Sequence, residues 1–134
     1  AKMLYAVSRA TVPKITVLVR KAYGAGYYVM CGRAYEPDLI VAWPGAEISV
    51  MGAEGAVNII GRSAIDAADD PEATREAMLN AVRAQIDPYI AAGNAMIDDI
   101  IDPRETRPRI IRGLEMAQDK RVQRPWKKHG VMPV

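Results

Sequence analysis

Residues Ile15–Cys31 read ITVLVRKAYGAGYYVMC, and the fold turns on how this stretch is read. Ile15–Val19 is an apolar, β-branched run without alternation, which predicts a strand buried on both faces, as in a parallel sheet packed between helices. Gly24, Ala25 and Gly26 then strip the backbone of bulk, and Tyr27–Cys31 runs on as a helix. The expected unit is strand, turn of small residues, helix, and the expected class is α/β.

Such a turn has chemical uses. Amide N–H groups in the first turn of a helix have no intrahelical acceptor and carry the positive end of the helix dipole, so an adjacent pair can face a developing negative oxygen. Small residues at 24–26 would let a planar carbonyl reach them. The same glycines serve equally well for a tight turn with close helix–strand packing, and the residues leave both readings open. A dinucleotide fingerprint is excluded because Val29 stands where its third glycine belongs, and no Gly-Lys-Ser or Gly-Lys-Thr phosphate loop occurs.

Upstream, Met3, Leu4, Val7 and Ala10 or Thr11 recur at helical spacing, and Val12-Pro13 predicts a helix end near residue 11. Downstream, Leu39–Ala42 is a second buried strand between prolines, and Ile48–Met51 a short third. Asp70-Pro71 is a helix cap followed by proline in the first turn. Leu79, Val82, Ile86 and Ile90 then form one stripe of a long helix bent at Asp87-Pro88. Asp102-Pro103-Arg104-Glu105 has capping-box spacing, Pro108 delays the continuous helix by a few residues, and Ile110, Ile111, Leu114 and Ala117 are its expected buried side. From Lys120 a basic, irregular tail is expected, and no internal repeat is visible.

The 134 residues are half apolar and one quarter charged (50% and 25%), enough for one ordinary core. A net charge of +2 is too small to signal nucleic acid, and no apolar run reaches membrane-spanning length. Neither partner is expected. Cys31 is the only cysteine and no basic-then-apolar leader is seen, so a reducing, cytoplasmic compartment is the default. The start at Ala1, without methionine and directly into an amphipathic run, reads as a piece of something longer. Asp98, Asp99 and Asp102 look superficially like metal ligands. With Asp102 available as a cap and no histidine nearby, they read instead as loop and helix start. His129 reads as a surface residue, Cys31 as a small buried apolar group, and Lys120, Arg121, Arg124, Lys127 and Lys128 as solvated charges near a helix C-terminus.

The run KAYGAGYYVMCGRAYEPDLIVAWPGAEISVMGAEGAVNII, with DDIIDPRETRPRIIRGLEMAQDKR after it, resembles the C-terminal half of the carboxyltransferase β subunits of biotin-dependent acyl-CoA carboxylases, the propionyl-CoA and methylcrotonyl-CoA carboxylase family. The resemblance covers essentially the whole chain. It implies a crotonase-like fold of repeated strand-strand-helix turns, with residues 1–134 as the distal portion of the second of two related domains.

The resemblance further implies that the amides of Ala25 and Gly26, after Gly24, form the oxyanion hole for the ureido oxygen of biotin. Here the order is Ala-Gly where the family more often has Gly-Ala, as in the methylcrotonyl branch. It places Tyr28, beside Tyr27, at the acyl pocket of a coenzyme A thioester, although core packing accounts equally well for both tyrosines. Carboxybiotin would deliver CO2 to the α-carbon of the thioester, and no titratable side chain is required. The implied partners are the rest of the subunit, a biotin carboxylase, a biotin carboxyl carrier and further copies in a hexamer, in the cytoplasm or, in a eukaryote, the mitochondrial matrix. A decarboxylase subunit running the transfer in reverse, and a non-catalytic interaction fragment, are the alternatives.

Overall fold

The computed structural model describes residues 1–132. Helix α1 (Lys2–Arg9) stops two residues short of the expected end, because Ala10 already turns to an extended ψ of 135° ahead of Pro13. Strand β1 (Ile15–Leu18) pairs in parallel with β3 (Leu39–Ala42), which pairs in parallel with the short β5 (Asp99–Ile100), giving the order β1-β3-β5. A second parallel pair joins β2 (Lys21–Tyr23) to β4 (Glu47–Ser49).

The chain therefore makes the same excursion twice. β1, β2 and helix α2 (Ala25–Val29) form one strand-strand-helix unit, and β3, β4 and helix α3 (Ala53–Ile60) form the next, each strand lying beside its counterpart. The repeat is one of backbone path, and little of it shows in residue identity beyond the Gly-Ala pair that opens each helix, Gly24-Ala25 and Gly52-Ala53. Two hydrogen bonds carry the register around the bends, from Trp43 N to Leu18 O (2.9 Å) and from Glu47 N to Arg20 O.

Only the central strand is buried on both faces. Ile40, Val41 and Ala42 are 0–1% exposed, whereas β1 is an edge strand that alternates, with Thr16 and Leu18 buried and Ile15 and Val17 half-buried. The strand leading into Gly24 is not the apolar run but β2, three residues with only Ala22 buried. Leu18, Ala22, Tyr27, Ile40, Ala42, Ala46 and Ile97 make the core cluster between the two strand pairs.

Helices cover this framework. Helix α4 (Arg62–Asp66) leads to α5 (Pro71–Arg83), whose start is capped by the Asp70 carboxylate accepting from Ala73 N at 3.0 Å. The expected long helix is broken, not bent: Ile86 lies buried in the intervening turn, and α6 (Pro88–Gly93) restarts with Asp87 accepting from Tyr89 N at 2.7 Å. Asp102 caps a single 3₁₀ turn, Pro103–Glu105, and α7 (Thr106–Met116) follows with Pro108 inside its first turn, where no N–H is needed.

The inward face of α7 also differs from expectation. Gly113 and Ala117 face inward while Ile111 and Leu114 are nearly half exposed. A Cβ on Gly113 would lie 3.0 Å from Leu39 and 3.1 Å from Ile15, so the glycine lets the helix settle onto β1 and β3.

Lys120 is not a solvated charge. Its Nζ meets Asp38 Oδ2 at 2.7 Å, with both side chains four-fifths buried, and the same oxygen accepts from Lys14 N at 2.7 Å. Burial raises the Asp38 pKa, but the Lys120 hydrogen bond, the Lys14 amide and the Lys120 charge together hold it below its ordinary 3.8. A carboxyl with a depressed folded-state pKa stabilises the fold fully above its unfolded value and ceases to as pH falls through the folded one. Asp38→Asn is expected to cost about 1–2 kcal/mol at pH 7. It should also flatten the loss of stability below pH 3.8, a slope readable from denaturant titrations at several pH values.

Candidate functional site

Gly24 joins β2 to α2 at φ +49° and ψ −124°, a conformation open to glycine and costly for any residue with a Cβ. Space makes the same demand, since a Cβ there would sit 2.7 Å from the Val50 carbonyl oxygen. Gly24 N donates to Ser49 O at 2.8 Å, so the start of α2 is tied to the end of β4.

Ala25 and Gly26 open the helix. Among the described residues neither amide N–H has a backbone or side-chain acceptor, as expected for first-turn donors without a cap. A Cβ on Gly26 would meet nothing within 4 Å. Ala25 borders a cleft of about 530 Å³ whose walls include Tyr28, Ile48, Ser49, Ile90 and Met96, within the usual size of a ligand site. Gly26 borders a neighbouring groove of about 410 Å³ with Val19, Lys21 and Met30. The larger hollow on α7, about 560 Å³, is walled by that helix alone.

The tyrosines divide their work. Tyr27 is 6% exposed; its hydroxyl donates to Met96 O at 2.8 Å and accepts from Arg33 N at 3.0 Å, fixing α2 to the loop before β5. Tyr28 is 44% exposed and stands at the cleft with its ring edge-on to Tyr27 and Tyr35.

The acidic stretch is dispersed. Asp98 pairs with Arg33 and accepts from Ile40 N at 2.8 Å, Asp99 pairs with Arg109 at 3.2 Å, and Asp102 holds Arg104. Cys31 is buried at φ +66°, and burial pushes its thiol pKa up, the reverse of what an activated nucleophile needs. His129 is exposed in the tail. Among the described residues no helix is long and apolar enough to cross a membrane.

Spacing gives no hint of several parts of the site. Ser49 and Val50 set the Gly24 turn, α6 provides Ile90 for the far wall, and the Tyr23 hydroxyl donates to the Glu47 carboxylate beneath the turn. The tyrosine before the glycine is the one signal that lies in the sequence.

Twinned strand-strand-helix units, paired in parallel and ending in a β-to-α turn with free amides, define a crotonase-like α/β protein. The chain belongs to the carboxyl transferase domain family, which it matches over residues 1–132. It is 54% identical over 134 residues to the methylmalonyl-CoA carboxyltransferase 12S subunit of Propionibacterium freudenreichii subsp. shermanii, covering 99% of this chain and 26% of that one. It is 47% identical over 135 residues to the methylmalonyl-CoA decarboxylase subunit alpha of Propionigenium modestum, covering 100% of this chain and again 26% of the relative. The crystal structure of transcarboxylase 12S with methylmalonyl-coenzyme A and methylmalonic acid bound superposes with a TM-score of 0.93 at 53% identity, over 98% of this chain and 26% of that one. The chain thus spans about a quarter of the length of these relatives.

Proposed function

We propose that this chain supplies the biotin-side oxyanion hole of a carboxyltransferase that moves a carboxyl group from carboxybiotin to the α-carbon of an acyl-CoA. The observation that carries the reading is the adjacent pair of unpartnered amides, Ala25 and Gly26, at a turn bordering a cleft. The names of the relatives support the reaction class.

The residues present suit a urea oxygen. A planar carbonyl approaching two amides needs clearance, and Gly26 leaves the space beside it open. Carboxybiotin, when bound, would supply CO2, and the negative charge left on its ureido oxygen would be discharged by taking up the α-proton of the thioester. The two amide dipoles stabilise charge that exists only transiently, and they need no reorganisation, because Gly24 is tied to Ser49 and Tyr27 is held at both faces of its hydroxyl. No proton leaves the protein in this scheme. Tyr28 shapes the acyl end of the cleft, while Tyr27 supports the turn from beneath.

The chain works within a larger subunit, its residues 1–134 forming the C-terminal portion of the second carboxyltransferase domain, with a biotin carboxylase and a biotin carboxyl carrier as partners. Exposed Val50, Ile59 and Ile60, each at least 70% accessible, support burial against further protein. The matching transcarboxylase 12S is a hexamer assembly, which supports a homo-oligomer here too; the compartment proposed for it is the cytoplasm or the mitochondrial matrix. The decarboxylase relative favours a second reading in which the same site runs the transfer in reverse.

The test is transfer of labelled carboxyl from a carboxybiotin-loaded carrier to the α-carbon of propionyl-CoA by the assembled enzyme. Labelled product is expected. A folded assembly that yields none in either direction would overturn the reading in favour of a non-catalytic interaction role.

A further inference from the structure

Glycine's freedom at position 24 has a consequence for the donors that follow it. With φ +49° available, many other dihedrals are too, and the direction of the Ala25 and Gly26 N–H bonds depends on which is held. Something outside the turn has to hold it. The Ser49 carbonyl is one anchor; the residue just before the glycine provides another.

Tyr23 lies diagonally across the β2–β4 pair from Glu47, since Lys21 is in register with Glu47 and Tyr23 with Ser49. Its hydroxyl donates to the Glu47 carboxylate at the start of β4. Its ring extends beneath the other end of the same strand, where a Cβ on Gly52 would lie 3.1 Å from Tyr23 Cε2. One side chain thus spans β4 from its first residue to the cap of α3. Burial first, then the Glu47 hydrogen bond and charge, push the Tyr23 pKa up to about 12, so the hydroxyl keeps its proton and remains a donor throughout the working range.

We infer that Tyr23 is a positioning residue for the donor pair: clamped between Glu47 and Gly52, it holds the two β-to-α turns at fixed spacing and thereby aims the Ala25 and Gly26 amides. This rests on the oxyanion-hole reading above. It adds a residue that touches neither biotin nor thioester and acts only through the turn.

Tyr23→Phe keeps the ring and loses the hydroxyl; Glu47→Ala removes the acceptor, and Glu47→Gln restores a neutral one. In the assembled enzyme Tyr23→Phe is expected to lower kcat about tenfold with KM for acyl-CoA unchanged, the pattern of misaimed transition-state donors. Glu47→Ala should match it, the double variant should be no worse than either, and Glu47→Gln should recover most of the rate. Hydrogen exchange at the Gly24 amide, which is bonded to Ser49 O and needs no activity to read, should quicken in Tyr23→Phe and Glu47→Ala alike. Unchanged kcat and unchanged exchange in Tyr23→Phe, or a loss confined to KM, would overturn the inference. Faster exchange in an assembly whose wild type transfers no carboxyl would instead overturn the oxyanion-hole reading and leave the clamp standing.

Discussion

Gly26→Val abolishes carboxyl transfer, with kcat expected to fall by about a hundredfold or more, while the thermal transition of the assembled enzyme stays near that of the wild type. The two halves of this result have separate causes. The fold tolerates the change because a Cβ at position 26 meets no atom within 4 Å, and the helical backbone there accepts any L residue. Activity does not, because the isopropyl group fills the open space beside the amide that a urea oxygen needs. Denying the oxygen access to one preorganised donor removes roughly 3 kcal/mol of transition-state stabilisation. Single-turnover rates against a loaded carrier check the prediction, and wild-type turnover in Gly26→Val would remove the basis for placing the oxyanion hole here.

Two residues earlier, the same small-residue turn gives the opposite expectation. Gly24→Ala should destabilise the fold by about 2–3 kcal/mol, since an L side chain is strained at φ +49° and its Cβ would press on the Val50 carbonyl oxygen at 2.7 Å. The carbonyl belongs to backbone that ends β4 and leads to α3, so it has little room to yield. Relief means moving the Gly24 N to Ser49 O hydrogen bond, which also turns the donor pair. A lower melting temperature of the assembled enzyme is expected, with activity lost even in the folded fraction. A variant as stable as the wild type would mean that the turn relaxes freely and that the glycine is not required by the backbone.

Comparison of these glycines marks where local pattern stops being informative. Both are visible as an unusual run of small residues, but nothing in GAG distinguishes the one required by conformation from the one that borders open space. The difference comes from Val50, twenty-six positions away along the chain. Ala25, Gly26 and Tyr28 lie at a strand-turn-helix junction as expected; the cleft beside Ala25 and Tyr28 exists because α6 and β4 close its other walls.

The elements divide the same way. Leu39–Ala42 is legible to the residue because a central parallel strand is apolar throughout and prolines bound it. β2 is not, since Lys-Ala-Tyr is short, has no β-branched residue and becomes a strand only by pairing with β4. The stripe of Leu79, Val82, Ile86 and Ile90 gives the apolar periodicity of one helix, yet the chain breaks before Pro88 so that Ile86 can enter the core. On α7 hydropathy favours Ile111 and Leu114, and close packing selects Gly113, the residue with least side chain to bury.

Residue order, taken alone, settles what is local: a buried parallel strand, a helix start at Asp70, a turn of small residues whose first-turn amides lack intrahelical acceptors, and a family likeness carried by contiguous motifs. It does not settle which of those residues meet across the molecule. That Gly24 is locked by Ser49 and Val50, that Tyr23 reaches Glu47 and Gly52, and that Lys120 seeks Asp38 all depend on parallel strands being brought side by side from distant parts of the chain. Dihedral preference and hydropathy act over a few residues, whereas steric fit and charge pairing act through space once the chain has closed on itself.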